Sequence, residues 1–494
     1  MTSLATEADF AEYQLFIDGA WQPSSTGRTI ERTSPSDGRL IGRFARAAVP
    51  DADRAVAAAR RAFDDTPWST LGAPQRAALL RRIGELLLER ADRIGRRISL
   101  ELGKPISLAR SEVVLTAEVF EYYAALTLDQ RSDMISRHTP TALGLVLKEP
   151  VGVVGMITPW NFPLSLLCWK VAPALAAGCT MVAKPASATP GAALELASVI
   201  QDAGVPDGVF NVITGSGSEV GMALVEHPDV DKVAFTGSTE VGRTVMAAAS
   251  VNMKKISLEL GGKSPNIIFA DANLKQAVRS AYWGIFLNTG QACQAGSRVL
   301  VQREIHDEFL TALVELTKTS KVGDPLDEKT MIGPLVDQTQ FDTVMEYIKQ
   351  GTDGGAVLAA GGKRMGGDLA RGIYVEPTIF DEVASHESIF RDEIFGPVLS
   401  ITTFDTAEEA VRLANDSPYG LAAAVWSSNL DTAIKTAKKI HAGTVWINAY
   451  YDAGMPFAMP MGGYKTSGIG RELGREGLEQ YYETKAVHIR LSKD

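Results

Sequence analysis

Between residues 151 and 260 the chain alternates short apolar runs with longer segments of helical spacing. VGVVGMI (151–157), TMVAKP (180–185), GVFNVITG (208–215), KVAFTG (232–237) and KKISLEL (254–260) are short and β-branched, the pattern of strands buried on both faces. Four stretches between them, 162–178, 189–204, 217–226 and 239–250, carry helical patterns. Pro173 bends or splits the first, and Gly204 ends the second. Strands alternating with helices of this length predict a parallel, doubly wound α/β sheet of Rossmann type.

The flanks carry weaker patterns. Residues 14–20 and 39–45 read as strands, 51–66 as a helix capped by Asp51, 74–98 and 101–127 as helices, and 133–149 as a hairpin-like pair. From Ser264 to Asn448 strands and helices mix again, including 266–269, 298–302 and 397–404 with helices at 272–287, 305–320 and 406–415. This predicts a second α/β domain. The tail 480–494 reads as an isolated strand that needs a partner edge, on another subunit if not its own.

At 494 residues the chain is too long for one ordinary core, so two or three domains are expected. A net charge of −10 lacks the basic footprint of a nucleic-acid binder. The three cysteines, Cys168, Cys179 and Cys293, form neither a disulfide framework nor a zinc-ligand spacing, so no metal is expected. The N-terminus lacks a basic and apolar leader, and the apolar stretch from Lys170 to Lys184 is too short to span a bilayer. A cytoplasmic chain with no membrane partner is the expectation.

Ligands of open α/β sheets bind at the carboxyl ends of the strands. There stand Pro159-Trp160-Asn161, Lys184 with Ser187, Gly215-Ser216-Gly217, Thr236-Gly237-Ser238-Thr239, and Glu259 with Gly261-Gly262. Gly237 to Gly242 joins strand to helix and could hold a pyrophosphate, or it is an ordinary helix cap by Ser238 or Thr239. Gly215 to Gly221 misses dinucleotide-binding spacing by one residue. Cys293 stands between flanking glycines, on a loop where a thiol can meet a ligand, whereas Cys168 and Cys179 read as core.

At these residues the sequence resembles the aldehyde dehydrogenase superfamily over nearly its whole length. The motifs are Pro159–Pro163 (PWNFP), Phe235–Ser238 (FTGS), Leu258–Pro265 (LELGGKSP), Gly290–Cys293 (GQAC), Glu393–Pro397 (EIFGP), Asn415–Gly420 (NDSPYG) and Gly462–Gly468 (GGYKTSG), with Glu259 and Cys293 34 residues apart. The resemblance implies a Rossmann-type cofactor domain (1–127 and 150–259), an α/β catalytic domain (260–477) and a small β oligomerisation part (128–149 and 478–494). It implies a homodimer or homotetramer acting on a small-molecule aldehyde.

The resemblance also assigns roles. Cys293 would be the nucleophile, Asn161 and the Cys293 backbone N–H the oxyanion donors, and Glu259 the general base, with Lys170 in the catalytic set. Trp160, Lys184, Ser187, Phe235, Gly237, Ser238, Val241, Leu260, Glu393 and Phe395 would hold NADP or NAD. NAD-preferring relatives often carry glutamate at the position of Ser187. A neutral hydroxyl there removes repulsion toward a 2′-phosphate, so NADP use is expected.

Phe162, Leu166, Trp169, Met455, Phe457 and Met461 would line an apolar substrate tunnel, with Tyr122 or Tyr123 at its mouth. Relatives acting on succinic semialdehyde carry arginine where Trp169 stands. No cation is evident for a substrate carboxylate, so an aromatic or medium aliphatic aldehyde is expected, with a trimethylammonium aldehyde as an alternative. Two rival readings are a CoA-acylating enzyme, disfavoured by Glu259, and a non-catalytic relative that keeps the fold.

Overall fold

The computed structural model describes residues 9–129, 131–136, 141–451, 454 and 456–492. Two sheets organise it. The first is built on five parallel strands: β1 (Val153–Ile157), β2 (Thr180–Lys184), β3 (Phe210–Val212), β4 (Lys232–Thr236) and β5 (Lys255–Glu259). Its order is β5-β4-β1-β2-β3, extended by Gly468–Ile469 beside β5 and by the hairpin Leu15–Ile17 and Ala20–Gln22 beside β3. From β1 the chain first builds toward β3 and then returns to the other side through β4. β1 and β4 therefore flank a switch point, and the loops leaving them open a crevice.

The helices covering this sheet follow from its sequence. Here α1 is Ile106–Leu128, α2 Ser165–Ala177, α3 Gly191–Asp202 and α4 Thr239–Ala249. Every residue of α2 is buried, because apart from Ser165 and the ion-paired Lys170 it is apolar on all sides and packs between the sheet and α1. Pro173 does not split it; the helix runs through to Gly178, whose φ of 93° ends it.

The second sheet has seven strands: β6 (Pro265–Ile268), β7 (Arg298–Gln302), β8 (Val357–Ala360), β9 (Thr378–Asp381), β10 (Val398–Phe404), β11 (Ala422–Trp426) and β12 (Thr444–Ile447). Their order is β8-β9-β10-β7-β6-β11-β12, all parallel except the edge strand β8. Its helix α5 (Leu274–Phe286) leads directly into the loop that carries Cys293.

Three flanking expectations change. The stretch 74–98 is two helices, Ala73–Glu89 and Ala91–Leu102, broken at Arg90 (φ −109°, ψ 12°). The helix expected at Asp51 starts at Val49, and Asp51 accepts from Ala48 N at 2.9 Å from inside its first turn. The tail strand is not orphaned: Tyr482–Arg490 pairs antiparallel with Ala142–Pro150 of the same chain, beside Asp133–Ser136. Nine paired positions satisfy the backbone groups on one of its edges within the chain, and its other edge is the border of this sheet. Among the described residues no helix is long and apolar enough to cross a membrane.

Candidate active site

The loops leaving β1 and β4 meet the Cys293 loop and the segment 393–395 around a cavity of about 220 Å³. Trp160, Asn161, Gly237, Ser238, Leu260, Cys293, Glu393 and Phe395 line it. Trp160 and Phe395 meet edge to face, ring centres 5.2 Å apart and planes at 88°. Phe395 sits at a φ of 58°, an uncommon conformation for a bulky residue. Gln340 secures it, donating from Nε2 to Ile394 O at 3.0 Å and Phe395 O at 2.9 Å. The Glu393 carboxylate accepts from Gly262 N at 3.0 Å. A Cβ on Gly261 would meet that carboxylate at 2.1 Å, so any larger residue there would displace Glu393 from this position. Burial pushes Glu393 up to about 7, opposed by the Gly262 N–H and the Lys263 ammonium.

A second cavity, about 270 Å³, opens on the other side. Phe162, Leu166, Trp169, Phe457 and Met461 line it, joined by Leu108, Leu115, Leu287 and Tyr451. Cys293 and Leu166 border both cavities. The loop before the cysteine is held in left-handed backbone at Asn288 (φ 50°), Thr289 (φ 61°) and Gly290 (φ 74°). A Cβ on Gly290 would meet Gly396 O at 2.0 Å. Burial pushes the Cys293 thiol up to about 12, and the Glu393 and Glu259 carboxylates add to this. The backbone N–H groups of Gln294 and Cys293 pull the other way.

Asn161 is buried and donates from Nδ2 to Gln291 O at 3.1 Å. Asn288 Nδ2 donates at 3.0 Å both to Asn161 O and to Gln291 O, tying the loop after β1 to the cysteine loop. Glu259, at the end of β5, lies outside the lining of both cavities. Its carboxyl faces Gly462, and neither oxygen has a hydrogen-bond partner among the described residues. Burial and the neighbouring Glu472 raise Glu259 well above the usual carboxylate range, with Lys170 and Arg471 opposing. Lys170 is fully buried. It donates to Glu472 at 2.5 Å and to Thr236 Oγ1 at 2.6 Å. It borders neither cavity, and its contact with the site runs through Glu472, which neighbours Glu259.

The family described as Aldehyde dehydrogenase family matches residues 21–487. The chain belongs to the aldehyde dehydrogenase family. It is 47% identical over 478 residues to an aldehyde dehydrogenase of Davidiella tassiana, covering 97% of this chain and 95% of that protein. A solved NAD-dependent aldehyde dehydrogenase from Sinorhizobium meliloti superposes with a TM-score of 0.96 at 42% identity, covering 99% of each chain. A solved indole-3-acetaldehyde dehydrogenase complexed with NAD+ superposes at 0.95 and 45% identity, covering 97% of each chain.

In this aldehyde dehydrogenase the expected cofactor residues divide. Trp160, Gly237, Ser238, Leu260, Glu393 and Phe395 share the first cavity. Ser238 also caps α4, accepting from Val241 N at 3.3 Å, so the helix-cap reading of that turn is the one the structure shows. Phe235 lies beneath Gly237, and Val241 is exposed on the first turn of α4. Lys184 and Ser187 lie outside that cavity and converge on one carbonyl. Ser187 Oγ donates to Gly215 O at 3.0 Å, and Lys184 Nζ to Pro185 O at 2.8 Å and Gly215 O at 3.5 Å. Burial lowers Lys184 to about 8.

These residues fit a dinucleotide. The first-turn N–H groups of α4 suit phosphate, Glu393 supplies acceptors for hydroxyls, and Trp160 and Phe395 wall the space beside Cys293.

Of the expected tunnel residues, Met455 lies outside the described residues. Tyr122 and Tyr123 do not border the tunnel: Tyr123 is buried with its hydroxyl on Gly474 O at 3.3 Å. Tyr122 shares a helical phase with Leu108 and Leu115 but lies about two turns, some 11 Å, beyond the latter. The expectation of no cation is corrected: Lys104 lines this cavity together with Glu112. Gln340 was also missed, and no local pattern marks it. Lys104 and Glu112 are eight residues apart across the start of α1, a spacing that gives no ion-pair signal from sequence.

Proposed function

We propose that this enzyme oxidises an apolar aldehyde, aromatic or medium aliphatic, to its carboxylic acid with NADP or NAD, through a thiohemiacetal and a thioester on Cys293. The observation that carries this reading is that one thiol borders both the cleft lined by Trp160, Ser238, Glu393 and Phe395 and the apolar tunnel.

Cys293 Sγ adds to the aldehyde carbon as its proton leaves, and the carbonyl oxygen becomes an oxyanion. Asn161 Nδ2 and the Cys293 backbone N–H are suited to donate to that oxygen. A thiol held near 12 is protonated at rest, so its proton passes to solvent water as Sγ adds and is the one released overall, while the proton that Glu259 later takes returns to the departing thiolate. The bound dinucleotide supplies the acceptor for the hydride lost by the thiohemiacetal carbon, and a thioester remains on Sγ. Glu259 then takes a proton from water, whose oxygen bonds to the acyl carbon while the thiolate leaves. Its carboxyl faces Gly462 in this conformation, so this step requires rotation of the side chain toward Cys293. The balance is one aldehyde and one water to one acid, with one hydride and one proton released.

Phe162, Trp169, Tyr451 and Phe457 favour aromatic or aliphatic bodies, and one solved relative is named for indole-3-acetaldehyde. Ser187, neutral and beside Lys184, leaves room for the 2′-phosphate of NADP. The exposed Met134 and Ile135 on an edge strand suit a homodimer or homotetramer, and three free thiols suit a cytoplasmic setting. The test is an aldehyde-by-cofactor activity matrix. Turnover is expected to peak with neutral aromatic or medium-chain aldehydes and give acid in the presence of CoA. Fastest turnover of succinic semialdehyde, or acyl-CoA as product, contradicts the reading.

A further inference from the structure

Lys104 and Glu112 form an ion pair in the wall of the apolar tunnel, with side chains 1% and 2% exposed. Each has a second bond. The Lys104 ammonium lies 3.7 Å from the centre of the Phe162 ring, itself a tunnel wall. Glu112 Oε1 accepts from Leu164 N at 3.0 Å and Ser165 N at 3.1 Å, at the start of α2. The carboxylate thus serves two masters, the ammonium through Oε2 and the α2 amides through Oε1. Two opposite charges share one patch of a mostly apolar lining, whose other polar members Ser111, Ser165, Asn288 and Gln294 are uncharged, and cancel for any ligand beside them.

We propose that Glu112 masks Lys104 and thereby makes the tunnel select neutral aldehydes over aldehydes bearing a carboxylate or an ammonium at the far end. The proposal rests on the reading of this tunnel as the aldehyde site and refines its substrate class. An anionic aldehyde would meet the ammonium but would have to displace the Glu112 carboxylate, with which it competes for the same donor. A cationic aldehyde would meet the carboxylate but would have to displace the ammonium. A neutral chain disturbs neither bond. Phe162 couples the pair to the reacting end, because its ring touches the ammonium while its backbone follows Asn161 directly.

The pair can be opened from either side. Glutamine in place of Glu112 still offers an oxygen to the two α2 amides but no longer neutralises the ammonium. Glutamine in place of Lys104 leaves the carboxylate uncompensated. The experiment measures kcat/KM for straight-chain aldehydes in a series of lengths, each ending in methyl, carboxylate or trimethylammonium. It compares wild type, Glu112→Gln and Lys104→Gln, with folding checked by thermal unfolding. Wild type is expected to favour the methyl-terminated member. Glu112→Gln is expected to raise the carboxylate-to-methyl ratio by about tenfold or more, and Lys104→Gln the trimethylammonium-to-methyl ratio by a similar factor. If one variant does not fold, the other carries the test. Ratios within about twofold of wild type at every length, in the variants that fold, overturn the masking. A purely structural pair would lower all three substrates together and leave the ratios unmoved. Failure of wild type to oxidise any methyl-terminated aldehyde would instead remove the reading of function on which the proposal stands.

Discussion

Asn161 donates its side-chain amide to the Gln291 carbonyl at 3.1 Å, and this bond joins the loop after β1 to the loop that carries Cys293. The oxyanion donor we propose is therefore held by the loop of the proposed nucleophile, while Asn288 bonds both partners from behind. Replacing Asn161 with alanine is expected to lower kcat about 10²–10³-fold, the usual worth of one oxyanion donor. Cofactor affinity should change little, because Trp160, Glu393 and Phe395 stay in place. Steady-state kinetics with both substrates varied checks this; a loss confined to the cofactor KM would contradict the role.

Glu393 is raised to about 7 by burial, so its carboxylate is fully ionised only above neutrality. Ribose hydroxyls need an acceptor, and protonation removes it. The KM for the dinucleotide is expected to rise as pH falls through about 7 and to flatten above it. Glu393→Gln should raise KM and abolish that pH dependence. A wild-type KM independent of pH between about 6 and 8 would contradict the assignment.

Lys170 opposes two carboxylates that share a buried site, Glu472 and Glu259. Removing the ammonium leaves uncompensated buried charge, at a typical cost of about 3–5 kcal/mol in stability. The sign for Glu259 is fixed: its affinity for a proton rises further, so it becomes a base only at higher pH. Lys170→Met is expected to melt lower, keep the initial burst of reduced dinucleotide, slow steady-state turnover about tenfold near neutrality and shift the pH–rate profile to higher pH. An unshifted pH profile in a folded variant would contradict this.

Ser187 and Lys184 donate to the same Gly215 carbonyl. A glutamate at position 187 would bring a carboxylate into the space proposed for the 2′-phosphate. Ser187→Glu is expected to reduce kcat/KM for NADP by about ten- to a hundredfold while NAD is retained. Equal NADP rates in wild type and variant would contradict the account.

The five parallel strands around the switch point were legible in the sequence, because strands buried on both faces and Gly-rich strand ends are local patterns. The motifs also bring Trp160, Asn161, Glu393 and Phe395 to one cleft as the resemblance implies. What stayed hidden depends on distant packing. The Lys104–Glu112 pair is set by how α1 crosses the start of α2, and Gln340 reaches the site only because its helix packs beside segment 393–395. The tail strand looked orphaned because its partner lies more than 330 residues earlier. The resting direction of the Glu259 carboxyl, toward Gly462, follows from burial beside Lys170 and Glu472 and has no sequence signal.

The central claim is an acyl group carried by one sulfur. Glu259→Gln should slow thioester hydrolysis without preventing its formation. Rapid acid quench of that variant with a neutral aldehyde and oxidised dinucleotide, followed by intact and peptide mass spectrometry, reads it directly. The account predicts one acyl group per chain, on the peptide containing Cys293 and absent from Cys293→Ser. An unmodified Cys293 peptide during active turnover, or undiminished oxidation by Cys293→Ser, would contradict it.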